Sequence, residues 1–223
     1  MIARRAAFLS SRFRIPSVPG IAMHTRLLDS RRAEDVRLAA GLLRCGQVVA
    51  FPTETVYGLG ARADDERAID ALCDLKARPR EKKLTILIPD PDACRRHAAP
   101  LSAEAGALAA AFWPGPLTLV VPDGRGGCVG LRCPDLPVTR RMLRLAGAPV
   151  AAPSANLSGQ APATTAEGVM RVFGGRISAV LDGGPAGLKV ASTVVRVDAD
   201  GVEVLREGAL SEGQIREAVT AWS

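Results

Sequence analysis

The stretch that decides the fold is Phe51-Pro-Thr-Glu-Thr-Val-Tyr-Gly-Leu-Gly60, which follows an apolar run at residues 48–50. The apolar run predicts a buried strand, and the proline ends it because proline has no N–H to donate to a neighbouring strand. Thr53 and Thr55 lie two residues apart, so on extended backbone both hydroxyls point to one side and Glu54 points away from them. The two glycines permit a turn and a close approach to the backbone. A strand that ends this way is typical of the ligand crevice of an open α/β sheet, although an ordinary strand-to-helix connection fits the spacing equally well.

Strand and helix patterns alternate through the rest of the chain, with several direct strand-to-strand connections. This order predicts an α/β protein with a single-domain, twisted, open mixed sheet, flanking helices and a concave cleft. We expect a helix cap at Asp64 or Asp65 and two capping boxes, Thr164 with Glu167 and Ser211 with Gln214.

Residues 1–25 are expected to lie apart from a domain at residues 26–223. Residues 1–28 contain five arginines and no acidic residue. An organellar transit peptide fits this composition. A disordered extension, or a chain start assigned too early, fits it better because the segment is interrupted by prolines and glycine.

The overall charge of the chain argues against a nucleic-acid-binding domain. The formal net charge is +6, and subtracting the five N-terminal arginines leaves +1 for the rest of the chain. The five cysteines are scattered and contain no Cys-x-x-Cys pair, which favours reduced thiols in a cytoplasmic protein over a zinc site or disulfides. No apolar run reaches the roughly 18 residues that a membrane span requires, so no membrane partner is expected.

Two further pairs repeat the two-residue spacing of the threonines. Lys76 and Arg78 follow a predicted helix, and Pro79 disfavours helical backbone at Arg78, so both cations are expected to face one polyanion. A solvated basic helix end fits the same residues. Ser154 and Asn156 follow another predicted strand, where they suit a phosphate or a base edge, or alternatively a turn or helix cap.

Two more arginines stand at strand positions. Arg132 lies in a short apolar strand, where an unpaired charge would be costly, so it is expected to reach a cleft carboxylate, an anionic ligand or a structural ion pair. Arg206 follows a predicted hairpin and fits either a ligand contact or an exposed strand end.

Together these stretches resemble the YrdC-like family, the L-threonylcarbamoyladenylate synthases. The resemblance covers residues 31–208 and keeps the family's order of motifs. The matching pieces are Pro52-Thr-Glu-Thr-Val-Tyr-Gly-Leu-Gly60, Lys76-x-Arg78-Pro79, Pro114-Gly-Pro-x-Thr118, Gly130-Leu-Arg132-x-Pro134, Ser154-Ala-Asn156-x-Ser-Gly159, Asp182-Gly-Gly184, Ser192-Thr-Val194 and Arg206-x-Gly208.

The resemblance implies a nucleotidyltransferase that joins L-threonine, bicarbonate or CO₂, and ATP into threonylcarbamoyl-AMP with release of pyrophosphate. Downstream threonylcarbamoyl-transferase machinery would complete the threonylcarbamoyladenosine modification of tRNA. Mg²⁺ would enter with ATP and be held by its phosphates, without protein ligands. An RNA-binding module that uses a basic cleft without catalysis is the alternative, and weak RNA binding would also be compatible with the enzyme.

The resemblance also implies roles for individual residues. Lys76 and Arg78 would be catalytic. The residues that would bind ATP are Lys76, Arg78, Lys82, Cys128, Ser154, Asn156, Pro162 and Arg206. The residues that would bind L-threonine are Thr55, Arg132, Ala152 and Ser192. The sequence departs from the family pattern at Lys82, Lys83, Leu87 and Leu136, which leaves the details of the threonine pocket open.

Overall fold

Ten strands form one mixed sheet in the computed structural model, which describes residues 24–221. The strands are β1 (Arg26–Asp29), β2 (Val49–Phe51), β3 (Gly58–Arg62), β4 (Thr85–Leu87), β5 (Leu117–Pro122), β6 (Cys128–Arg132), β7 (Val150–Ala151), β8 (Ala179–Asp182), β9 (Thr193–Asp198) and β10 (Gly201–Arg206). Their order across the sheet is β1-β8-β2-β3-β7-β4-β6-β5-β9-β10. The sheet contains both parallel pairs, such as β4 with β6, and antiparallel pairs, such as β5 with β6, which confirms the predicted mixed α/β sheet.

Helices flank this sheet. They are α1 (Ala33–Arg44), α2 (Glu66–Lys76), α3 (Ala103–Phe112), α4 (Pro137–Ala146), α5 (Ala166–Phe173) and α6 (Glu212–Thr220), with a 3₁₀ helix at Pro91–Arg96. Within residues 24–221, none of them combines the length and the apolar character needed to cross a membrane.

The helix caps follow local sequence rules. Asp65 caps α2 by accepting from the N–H groups of its first turn, and Ser211 and Gln214 form a capping box on α6, as predicted. The predicted box at Thr164 is wrong by one residue, because Thr165 is the residue whose hydroxyl accepts from Gly168 N at 3.1 Å.

Around β2, apolar clusters cover both faces of the sheet. In β2, Val49 and Phe51 contribute to the apolar cluster beneath α1 and α4, whereas Ala50 contributes to the cluster beneath α2 and α5. A third cluster joins α3 and α6 to β5 and β6. Each large apolar side chain that is fully buried in these layers contributes roughly 1.5–3 kcal/mol of transfer free energy.

The predicted turn at the glycines of the opening stretch is instead strand β3, which pairs antiparallel with β2. Gly58 and Gly60 are needed here because the ring of Phe51 lies against them. A Cβ atom on Gly60 would stand 2.5 Å from Phe51 Cε1. Close approach to the glycine backbone was therefore predicted correctly, and the approaching group is the neighbouring strand's own side chain.

The first described residues belong to the fold. The Thr25 hydroxyl is buried, donates to Ile177 O at 2.6 Å and accepts from Gly175 N at 2.9 Å. The predicted extension therefore overlaps the folded part at Thr25, and residues 1–23 lie outside the described part of the chain.

Candidate functional site

A cleft of ≈ 290 Å³ opens on one face of the central strands. Alternate residues of a strand point to the same face, so β4, β5 and β6 each contribute two side-chain positions, separated by one residue, to its floor. The connections around β2, α2, β7, β9 and β10 form its walls. The lining residues are Thr53, Val56, Tyr57, Gly58, Arg78, Lys83, Leu84, Thr85, Leu87, Thr118, Val120, Gly130, Arg132, Ala152, Pro153, Ser154, Ala191, Ser192, Val194 and Arg206.

A chain of hydrogen bonds runs through the connection between β2 and β3. Arg132 Nη2 donates to Thr55 Oγ1 at 2.8 Å, and the two threonine hydroxyls lie 2.8 Å apart. Because the Thr53 hydroxyl donates to Val56 O at 2.6 Å, the Thr55 hydroxyl must be the donor to Thr53. The prediction that these two hydroxyls share one side is confirmed.

Glu54 also enters this network, which corrects the prediction that it points away. Its Oε1 accepts from Arg132 Nη2 at 2.7 Å, and both side chains are largely buried, with 14% of Glu54 and 9% of Arg132 exposed. The alternation rule fails here because the backbone turns after Thr53, whose hydroxyl accepts from Val56 N, and is no longer extended. Of the partners that the sequence allowed for Arg132, the structure shows an ion pair with the buried carboxylate of Glu54.

Lys76 and Arg78 contact different groups in this structure, and the prediction that both face one polyanion stays a prediction. α2 ends at Lys76 as expected, and Ala77 after it is left-handed with φ 48°. Lys76 is buried, and its Nζ donates to the carbonyls of Ser154 and Asn156 at 2.5 Å each. Arg78 lines the cleft while donating to the carbonyls of Lys82 and Lys83.

The loop after β7 is therefore held from behind by Lys76. Ser154 Oγ donates to Asn156 Oδ1 at 2.6 Å. Asn156 Nδ2 donates to the carbonyls of Leu157 and Gln160. Burial, with a smaller contribution from the Arg78 charge, lowers the pKa of Lys76 to about 8. The hydrogen bonds of Lys76 and Asn156 therefore hold the loop in shape, and Ser154 is a residue of this loop that lines the cleft.

The opposite wall is formed by Ser192 and Arg206. The Ser192 hydroxyl lies 2.9 Å from Thr118 Oγ1, and Arg206 Nη2 donates to Ser192 O at 2.7 Å. Burial, followed by the nearby charge of Arg132, lowers the pKa of Arg206. Arginines therefore crowd this end of the cleft, which gives it the electrostatic character of an anion site.

The remaining predicted residues lie at different depths. Ala152 lines the cleft, whereas Lys82 and Cys128 stand at its rim, where their carbonyls accept from Arg78 and Lys83. Pro162 lies on the connection to α5 and is not part of the lining. Among residues 24–221, no group of three or more His, Cys, Asp or Glu side chains lies together as a metal site would require.

Thr118 and Lys83 are among the lining residues that received no site role in the sequence-based prediction. Thr118 was part of a quoted motif, and its alternation with Val120 on an apolar strand would have placed it on the cleft face. Lys83 was treated as a departure from the family pattern, yet it lines the cleft and its Nζ donates to Cys128 O at 2.9 Å.

Comparisons with known proteins give a consistent result. The sequence profile named Sua5_yciO_yrdC, described as "Telomere recombination", matches residues 41–208. A Bacillus subtilis protein named threonylcarbamoyl-AMP synthase is 40% identical over 191 residues, which cover 81% of this chain and 55% of that protein. A Vibrio cholerae protein of the same name is 34% identical over 186 residues, which cover 78% of this chain and 98% of that protein.

A solved structure shares the fold at high sequence identity. It is the crystal structure of P. abyssi Sua5 complexed with L-threonine, with a TM-score of 0.81 and 38% identity over 87% of this chain and 60% of that chain. The chain thus spans slightly more than half the length of the B. subtilis and P. abyssi proteins that it matches.

Proposed function

This chain belongs to the Sua5/YciO/YrdC family, and from that premise we propose that it is an L-threonylcarbamoyladenylate synthase. It would consume L-threonine, bicarbonate or CO₂, and ATP, and it would release pyrophosphate. The product, threonylcarbamoyl-AMP, would pass in the cytoplasm to the machinery that modifies tRNA. The relatives that carry this activity in their names support the proposal.

The observation on which the proposal rests is the convergence of two sets of residues on one cleft. Arg132 and Ser192, from the set assigned to L-threonine, line the same cavity as Arg78, Ser154 and Arg206, from the set assigned to ATP. An amino acid and a nucleotide bound there would be neighbours, as a reaction between them requires.

The proposed chemistry assigns the protein the tasks of positioning and charge neutralisation. The carbamate of L-threonine would attack the α-phosphorus of ATP, an oxygen–phosphorus bond would form, and pyrophosphate would leave. Negative charge develops on the phosphate oxygens, so fixed cations such as Arg78 would stabilise the transition state more than the ground state. Lys76 would act from behind, by holding the loop that presents Ser154.

Mg²⁺ would accompany ATP. The cleft presents guanidinium, ammonium and hydroxyl groups, which suit phosphate oxygens, and the phosphates would in turn hold the ion. We propose no protein ligand for it.

The test is mass spectrometry of the product formed by the purified chain from ATP, Mg²⁺, bicarbonate and isotopically labelled L-threonine. We expect labelled threonylcarbamoyl-AMP and an equal amount of pyrophosphate, with both lost when any substrate is omitted. A protein that forms neither at saturating substrates, and instead binds tRNA without ATP and with a steep salt dependence, would be the RNA-binding module.

A further inference from the structure

Glu54 has unused hydrogen-bonding capacity beside the cleft. A carboxylate can accept about four hydrogen bonds, yet the described contacts give the side chain of Glu54 a single one, from Arg132 Nη2 to Oε1. Its Oε2 is buried without a hydrogen-bond partner among residues 24–221. Leaving a buried carboxylate oxygen unpaired is unfavourable, so Oε2 is an acceptor that a donor on a ligand would satisfy.

Arg132 has an unused hydrogen-bond donor that complements this acceptor. Its Nε donates to Gly115 O at 3.3 Å and its Nη2 to Glu54 and Thr55, whereas Nη1 makes no hydrogen bond within residues 24–221. Nη1 is not one of the described side-chain atoms that are buried without a partner, and Arg132 lines the cleft. Nη1 is therefore the part of the guanidinium that an incoming anion can reach.

The electrostatics of the cleft make the carboxylate distinctive. Arg78, Arg132 and Arg206 all line the cavity, together with Lys83. Among the described residues, Glu54 is the carboxylate that forms an ion pair with one of these cations. A ligand that carries a positive charge would meet repulsion from most of this surface, and Glu54 is the group able to offset it.

We infer that the Glu54 carboxylate accepts a hydrogen bond from the α-ammonium of the amino-acid substrate, while Arg132 Nη1 donates to the substrate's carboxylate. This inference rests on the proposed function. An α-amino acid carries both charges on one carbon atom, so a donor and an acceptor side by side match its zwitterionic head. The terminal torsion of a glutamate side chain is broad, so the carboxylate can turn part of the way and bring Oε2 toward the ligand while Oε1 keeps its contact with Arg132.

The experiment uses isothermal titration calorimetry with the full chain and two ligands. One ligand is L-threonine, and the other is 2,3-dihydroxybutanoate of the same stereochemistry, in which a hydroxyl replaces the ammonium. The measured quantity is the ratio of their dissociation constants. Wild-type protein should prefer L-threonine, and Glu54→Gln should reduce that preference by about 10- to 100-fold, as loss of a charge-assisted hydrogen bond predicts.

The matched control is Glu104→Gln, which removes an exposed carboxylate at the start of α3 and should leave the ratio unchanged. An unchanged ratio in Glu54→Gln overturns the inference. The inference is also overturned if Glu54→Gln binds both ligands more tightly by one common factor. In that case the Glu54 carboxylate would compete with the carboxylate of the ligand for Arg132.

Two outcomes need no variant. If wild-type protein binds both ligands equally well, the inference is overturned even if Glu54→Gln fails to fold. If wild-type protein does not bind L-threonine at all, the inference and the proposed function both fail. If wild-type protein binds L-threonine tightly and Glu54→Gln leaves the ratio unaltered, only the role of Glu54 is removed.

Discussion

The two sides of the cleft are held in different ways. On one side, which we call the hydroxyl wall, Thr53, Glu54, Thr55 and Arg132 contact one another through largely buried side chains. On the other side, which we call the basic loops (residues 76–83 and 154–156), the cations donate to main-chain carbonyls. In the hydroxyl wall, stability and binding therefore depend on the same contacts, whereas in the basic loops they can be separated residue by residue.

The largest effect is expected from Arg132→Met. Removing this cation leaves the Glu54 carboxylate buried without a partner, which should lower the free energy of unfolding by about 3–5 kcal/mol. It should also abolish L-threonine binding. Urea denaturation and calorimetry would measure the two losses.

A second change isolates the cause. Adding Glu54→Gln to Arg132→Met should recover part of the lost stability, since the buried charge is gone, and the double-mutant cycle should give a coupling of about 1 kcal/mol or more. If the two losses simply add, the pair is not the element that stabilises the wall.

The basic loops should respond differently at their two cations. Arg78→Ala should lower turnover by about 10²–10³ by removing a charge that faces the substrate phosphates. The same change should shift the free energy of unfolding by no more than about 0.5 kcal/mol, because the lost contacts lie on exposed loop carbonyls. Arg80→Ala, which removes an exposed cation two residues away, is the matched control for net charge.

Lys76→Met should affect stability as well. It leaves the carbonyls of Ser154 and Asn156 without their donor, which costs about 1–3 kcal/mol of unfolding free energy and should raise the KM for ATP. The pKa of Lys76 is lowered to about 8 from its ordinary value of 10.5, so the folded state binds fewer protons than the unfolded state between these values. Wild-type stability relative to Lys76→Met should therefore rise as the pH increases from about 8 to about 10, and a flat difference would contradict the burial of this ammonium.

The sequence predicted what depends on local pattern. The caps at Asp65 and Ser211, the paired threonine hydroxyls and the end of α2 at Lys76 all follow from residue types a few positions apart. Of the site residues that the family resemblance implied, six line the cleft, namely Arg78, Arg132, Ala152, Ser154, Ser192 and Arg206.

What the sequence missed depends on contacts between distant segments. Strand β3 was taken for a turn because its glycines hide the strand pattern, and their reason is the ring of Phe51 on the neighbouring strand. Lys76 was expected to face a ligand, but its partners are carbonyls about eighty residues further along the chain, and no side-chain pattern marks a carbonyl as a partner. The contact between Glu54 and Arg132 was missed for a related reason, because a local turn overrides the alternation of an extended strand.

Whether the hydroxyl wall depends on the packing beneath it can be tested at Gly60. Gly60→Ala places a Cβ atom 2.5 Å from Phe51 Cε1 and 3.2 Å from Val150 Cγ1, so the ring must shift, at a cost of about 1–3 kcal/mol. Gly41→Ala in α1 is the control, since nothing lies within 4 Å of its added methyl group and alanine favours a helix by about 0.5–1 kcal/mol. Thermal denaturation should move the two variants in opposite directions. Because Phe51 immediately precedes the turn that carries Thr53, Gly60→Ala should also weaken L-threonine binding while leaving ATP binding unchanged. Equal losses for both ligands would mean that the two sides of the cleft respond as one unit and that the contrast between them is not real.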